Sequence, residues 1–475
     1  PSAASLGGGG VCLVYRPEFK KKLSQKIEAL NFLTGLPSRV PAEVTRPSGV
    51  PGNAIGMFAL HARYGTMPWR ETVSVGERLA RFGTQVSRAL LSDLKSVENA
   101  LLQDAESRKI FRGPGGSPIE EGDVIRQPDL ANAMSNLRVN GPVDFHRGKF
   151  AALFVERVRA AGGSLSLDDM RRYKPRWTET ISMPFGSFFK RNTAHFVPPP
   201  AAAGLVQAQM LQMLKTDKLF ASQNEVEKYH VIAEVGLAAF AERARWLRQD
   251  FKAKFPPKSL LDRSVMETAM KNYSHDRHLS PESFRPVPRP TPENPSATSF
   301  VVVDRFGMAV TCAFTMNNVF GIGRIAKDTG IVIAAIPRGA GKGPISLGPM
   351  MIVNEKSSQF LLAAAGAGGV TAPTAVASVV ARTYLDGQSL DAAMRAPRVH
   401  HNGAPDVTYY EPTLSQDIIA ALRDRGHRLA ATPRIGLVNI AHCSGGLPRE
   451  PASCSLMNDP RGKGLTVNAL TELEQ

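Results

Sequence analysis

The chain has 475 residues, 43% of them hydrophobic and 21% charged, and 58 Lys+Arg against 42 Asp+Glu give a formal net charge of +16. That balance excludes an intrinsically disordered chain, and no stretch approaches the roughly 18 uncharged apolar residues of a membrane span. The basic residues are scattered, aromatics are only 7%, and no RNA- or DNA-binding module stands out, so the charge predicts a solvated basic surface rather than a nucleic-acid partner.

In chain order, Gly7 to Tyr15 reads as a glycine turn feeding a buried strand, and Lys26 to Phe32 as its hairpin partner, with Lys20, Lys21, Lys22 and Lys26 at the tip. Pro1 to Gly10 has neither the basic nor the apolar region of a signal peptide, and a start inside a glycine run suggests removed upstream sequence. Apolar residues at three and four spacing predict helix over roughly 55 to 110, then over Asp129–Leu137, Phe150–Ala161 and Glu225–Arg248. Six prolines between Pro281 and Pro295 predict an extended, mobile connector, because each fixes φ and removes a backbone donor. Directly after it, residues 299–304 and 308–315 form a hairpin around Arg305-Phe306-Gly307, followed by β-runs at 330–336, 350–353 and 360–365 and a helix from Ala372 to Asp386.

Of the four cysteines, Cys12 and Cys312 lie in strand-like runs and read as small buried hydrophobes, whereas Cys443 and Cys454 have a spacing that can close a disulfide. No Cys/His spacing calls for zinc, so neither metal nor cofactor is expected. A linker that runs into a strand starting with Ser or Thr has one chemical use. If the chain is cut there, the new first residue offers a hydroxyl nucleophile and an α-amine base together.

Ten stretches in order then carry a resemblance. They are Gly7 to Tyr15; Gly49 to Asn53 with His61 to Trp69; Gln127 to Leu130; Ala161 to Asp169 with Tyr173; Pro198 to Pro200; Phe240 to Trp246; Thr315-Met316-Asn317; Gly366 to Gly369; Ala396 to His401; and Asp459 to Arg461. Together they resemble the γ-glutamyltranspeptidase family across essentially the whole chain. The resemblance implies a four-layer αββα sandwich of the N-terminal-nucleophile hydrolase type. It also implies a proenzyme that cuts itself into a large piece, 1–296 with the linker 281–296 at its end, and a small piece, 297–475. The two would form one domain acting on small-molecule γ-glutamyl amides, in the periplasm or outside the cell.

Position by position, the resemblance places Ala297 where the family has its nucleophilic threonine and Thr298 at the second threonine. Alanine has no hydroxyl, so either Thr298 is the true first residue or a threonine has been lost from position 297. Thr315 and Asn317 match the pair that supports the nucleophile, and Gly368 and Gly369 the paired oxyanion glycines. Ser346 matches the first of two paired serines, the second being Leu347. The carboxylate-clamping arginine is replaced by Leu33. The amine-binding stretch becomes Ala334 to Gly339, placing Arg338 where an acidic group is expected. These changes imply an amide hydrolase or acyltransferase for an altered, more anionic substrate. The alternative is an uncleaved, inactive member that binds a second protein subunit.

Overall fold

The computed structural model describes residues 2–17, 27–186, 191–216, 219–221, 223–288, 296–337 and 344–468. The lysine-bearing tip at 20–26, Arg338 and residues 289–295 of the proline-rich segment lie outside them.

Two antiparallel sheets form the centre. The first runs in the order Arg176–Thr178, Ile27–Asn31, Gly9–Tyr15, Ala309–Thr315, Ala297–Val303. The second runs Cys454–Asn458, Leu437–Leu447, Gln359–Ala367, Met350–Asn354, Thr193–Phe196, Ile181–Pro184. Strand side chains alternate between faces, so one set from each sheet meets its counterpart in the middle. Val11, Leu13 and Tyr15 of the first sheet pack there against Met351, Val353, Ala363 and Ala441 of the second. The outer face of the second sheet is covered by the helices Ala203–Lys215, Glu225–Trp246 and Ala372–Tyr384, and that of the first by Met57 and Leu60 of the helix Asn53–Tyr64. Helix, sheet, sheet and helix therefore stack in the expected αββα order. Gln359–Ala367 has eight buried residues of nine because it is central in its sheet and covered on both faces.

The long helical stretch resolves into Asn53–Tyr64, Trp69–Phe82, Arg88–Leu101 and Ala105–Phe111. Gly65 with Pro68, then Gly83, break the run, and Ser87 and Asp104 cap the last two helices through their side chains. The helix expected to end at Leu137 runs on as Pro128–Arg147 with a kink where Gly141 takes a φ of 73° before Pro142. At 330–336 only Ile331–Val332 is a strand, paired with Ile325–Ala326.

Two expectations need correction. Cys12 and Cys312 are not separate hydrophobes; they form a disulfide, because the neighbouring strands Gly9–Tyr15 and Ala309–Thr315 pair with those residues opposite one another. A sequence separation of 300 residues conceals that neighbourhood. Cys443 and Cys454 do pair, across adjacent strands rather than within a loop. The first part of the proline-rich segment is also more structured than a free connector. Residues Pro281–Ser283 form a 3-10 turn, and Pro281 and Pro288 are buried, the latter beside Gly403.

Candidate active site

The strand Ala297–Val303 lies at the edge of the first sheet, and its start faces a cavity of about 290 Å³. Its pairing places Ala297 opposite Thr315 and Thr298 opposite Phe314. Ala297 and Ser299 are half-buried, while Thr298 and Phe300 are exposed on the other strand face. Thr298 also lines the cavity, although strand alternation turns its side chain to the face opposite that of Ala297.

Thr315 Oγ1 donates a 2.7 Å hydrogen bond to the carbonyl oxygen of Ser296, the acyl half of the Ser296–Ala297 peptide bond. Thr315 Oγ1 itself accepts from the backbone N–H of Asn317 at 2.8 Å. Asn317 is beyond the strand, at a φ of 61°, so it meets Thr315 by a turn and not by strand alternation. Its side-chain NH2 donates to Thr34 Oγ1 and the Ala335 carbonyl, at 2.7 and 2.8 Å, while its Oδ1 is buried with no partner among the described residues. Ser296, missed in the sequence, is buried with an Oγ that has no partner among the described residues. Ser299 is also engaged: Asn439 donates to its hydroxyl and its carbonyl, and it donates to the Ala365 carbonyl.

Gly368 and Gly369 join the strand Gln359–Ala367 to the helix Ala372–Tyr384, with φ of 124° and 64°. Such angles suit glycine, and Gly368 lines the cavity just before the helix start. A Cβ on Gly368 would lie 2.8 Å from the Gly436 Cα. Gly368→Ala is therefore expected to cost about 1–3 kcal/mol of stability from the backbone angle alone, read as a lowered urea midpoint. Ser346 is buried in the turn Pro344–Ser346 and is not among the residues lining this cavity.

The cavity's far wall comes from the last part of the chain. Arg434, Asn439, Asp459, Arg461 and Lys463 line it together with Asp93. Asp459 is buried between Arg398, at 2.7 Å, and the backbone N–H groups of Val438 and Arg461. Arg461 in turn grips both oxygens of Glu411 and the carbonyls of Met394 and Ala396.

Away from the cavity, His230, Glu234 and His427 could hold a metal ion, as could His278, His401 and Asp406. Protons alone also complete this network. His230 Nε2 must donate to the Ser274 carbonyl, leaving Nδ1 to accept from His427 Nε2 at 2.8 Å. His278 has a carboxylate at each nitrogen, Glu234 and Asp406, which calls for the doubly protonated ring. Burial pulls its pKa down, but the bonds and charges of those two carboxylates outweigh this and raise it.

The sequence profile described as Gamma-glutamyltranspeptidase matches residues 1–335 and 339–468. The chain belongs to the gamma-glutamyltranspeptidase family. Similar relatives are the glutathione hydrolase proenzymes of Escherichia coli (strain K12) and Bacillus subtilis (strain 168), each 26% identical. They cover 92% and 94% of this chain, and the match spans 80% and 82% of their own lengths. Among solved structures, the cephalosporin acylase of Bacillus halodurans superposes with a TM-score of 0.79 at 21% identity, over 98% of this chain and 88% of that one. The fold is thus that of the N-terminal-nucleophile hydrolases. Within this family frame, the described structure brings Ala297, Thr298, Thr315 and Gly368 to one place, and leaves Ser346 outside it.

Proposed function

We propose that the chain is an amide hydrolase or acyltransferase of the N-terminal-nucleophile kind, acting on a small-molecule amide that is glutathione-like or more anionic. The observation that carries this reading is the hydrogen bond from Thr315 to the Ser296 carbonyl, directly beside position 297 and at the mouth of a cavity with Gly368 in its wall. In self-processing, a hydroxyl at position 297 would attack that carbonyl, the C–N bond would break as the acyl group moves to oxygen, and water would hydrolyse the ester. The products are a carboxylate at Ser296 and a free α-amine at residue 297. The amine then takes the proton of its own hydroxyl as that oxygen attacks the substrate, and the backbone amides of Gly368 and Gly369 stabilise the resulting oxyanion.

Ala297 supplies no hydroxyl, so the nucleophile is either Thr298 after opening one bond later or a threonine standing at 297. Comparing the unaltered chain, Thr298→Ala and Ala297→Thr for fragments and amide hydrolysis tests the two. Cutting of the unaltered chain that Thr298→Ala abolishes would assign Thr298. If none of these proteins cuts or hydrolyses an amide, the reading fails. Ala297 itself favours a second reading, an uncleaved member that only binds; isolation of the unaltered chain intact in a stable complex with a second protein would support it.

Two disulfides and no free cysteine favour an oxidising compartment, the periplasm or the exterior. Among the described residues no helix is long and apolar enough to cross a membrane.

A further inference from the structure

We propose that His230, Glu234, His278 and His427 form a closed, four-coordinate site for a divalent transition-metal ion of the zinc type, in the helical layer over the second sheet. The site is independent of the acyl-transfer chemistry.

His230 and Glu234 are four apart on the helix Glu225–Trp246, so one face of it carries both. His278 arrives just before the turn Pro281–Ser283, where its backbone N–H bonds the Arg425 carbonyl at 2.7 Å. His427 follows the helix Gln416–Asp424. His230, Glu234 and His427 are all buried, and a carboxylate at that depth needs a charged partner or a metal.

The outward nitrogen of each ring already has a partner. His230 Nε2 donates to the Ser274 carbonyl and His278 Nε2 to Asp406, both at 2.9 Å, while His427 Nδ1 meets Thr408 Oγ1 at 2.9 Å. The second oxygen of Glu234 accepts from the Leu279 N–H at 2.8 Å. Outer partners of this kind fix the tautomer of metal-binding histidines. Four atoms are left facing inward: His230 Nδ1, His427 Nε2, His278 Nδ1 and Glu234 Oε1. They are spaced 2.8 Å from His230 to His427, 3.5 Å from His427 to Glu234 and 2.5 Å from His278 to Glu234. Zinc bonds of about 2.0–2.1 Å set tetrahedral ligand atoms about 3.3 Å apart, so shifts of under about 1 Å admit the ion. His401 is not a ligand. Its Nδ1 accepts from the Gly403 N–H at 3.0 Å, so its Nε2 carries the proton that Asp406 accepts.

Charge favours the ion as well. Without it, one inward proton joins His427 to His230 and another joins His278 to Glu234, and the cationic His278 faces two carboxylates, Glu234 and Asp406. Glu227 nearby is already paired with Arg425. A divalent ion sends one of those protons to solvent and moves the other to His427 Nδ1, toward Thr408, leaving the cluster neutral. Three ligands precede position 297 and His427 follows it, so the ion also fastens together the two pieces that a cut would create.

The full chain, stripped with a chelator and dialysed, is titrated with zinc(II) by calorimetry and with cobalt(II) by visible absorption. One equivalent of zinc should bind and raise the urea midpoint, and cobalt should give the intense absorption of a four-coordinate site. Glu234→Gln, which keeps the side chain's size, should weaken zinc binding more than about 100-fold, and Thr408→Val about tenfold through the orientation of His427. His401→Gln should leave both titrations unchanged. Failure of the stripped, unaltered chain to take up zinc would overturn the site. So would undiminished uptake by Glu234→Gln, or loss of uptake in His401→Gln.

Discussion

Replacing Ala297 with threonine is expected to convert the intact chain into two pieces, 1–296 and 297–475, that separate on a denaturing gel only when a reductant is present. The cut follows from the geometry at the Ser296 carbonyl, which Thr315 already polarises and which a hydroxyl on residue 297 would adjoin. The need for reductant follows from the disulfides. Cys12 belongs to the first piece and Cys312 to the second, so their bond ties the products together, whereas Cys443 and Cys454 both lie in the second piece. Adding Cys312→Ala should release two bands without reductant. Adding Thr315→Ala should slow the cut on the order of 100-fold, the loss typical of one donor to a developing oxyanion. Adding Thr298→Ala should leave the cut in place, because that side chain is on the other strand face. A single band under reducing conditions after long incubation of Ala297→Thr would sink this account.

Acid should destabilise the fold steeply between about pH 6.5 and pH 4. Buried histidines are held neutral, three of them with strongly lowered pKa values. His146 is lowered to about 4, chiefly by burial, and His400 to about 3 by burial and then the neighbouring His401 and Arg243. Burial, followed by the surrounding His278, His230 and His401, lowers His427 to about 2. A group depressed in the folded state contributes stability that is present above its unfolded pKa, near 6.5, and lost as pH falls through the window down to its folded value. At pH 5 the unfolded chain gains a proton at each position, costing about 2 kcal/mol per histidine out of a typical 5–15 kcal/mol. His278 works in the opposite sense. Its raised pKa adds stability that is fully present below the unfolded value and lost as pH rises, which offsets part of the acid loss. Asp406, lowered to about 2 mainly by its bond to His401, keeps its contribution until more acid conditions. Urea midpoints at pH 7.5, 6 and 5 should fall in that order, and His427→Gln should flatten the trend. A midpoint that does not move between pH 7 and 5 would contradict the assignment of neutral histidines.

Much of the fold was legible because its signals are local. Alternation and hydrophobic runs mark Gly9–Tyr15, Ala309–Thr315 and Gln359–Ala367, and the three- and four-residue spacing marks Glu225–Trp246. Where local spacing misled, a turn residue or a distant neighbour intervened. Gly141 let one helix run past its expected end, and Asn317 reached Thr315 through a left-handed turn beyond the strand.

Within the site, the sequence alone determined that position 297 carries alanine and that a Gly368-Gly369 pair precedes a helix. The family resemblance implies a clamping arginine at the position where the sequence has Leu33. Only the tertiary structure decided what those residues can do together. Sheet pairing set Ala297 opposite Thr315, made Cys12 and Cys312 a covalent bridge, and drew Arg434 to the wall that Gly368 shares. These relations span up to three hundred residues of chain. No local propensity records them, because they arise from how two sheets close over one core.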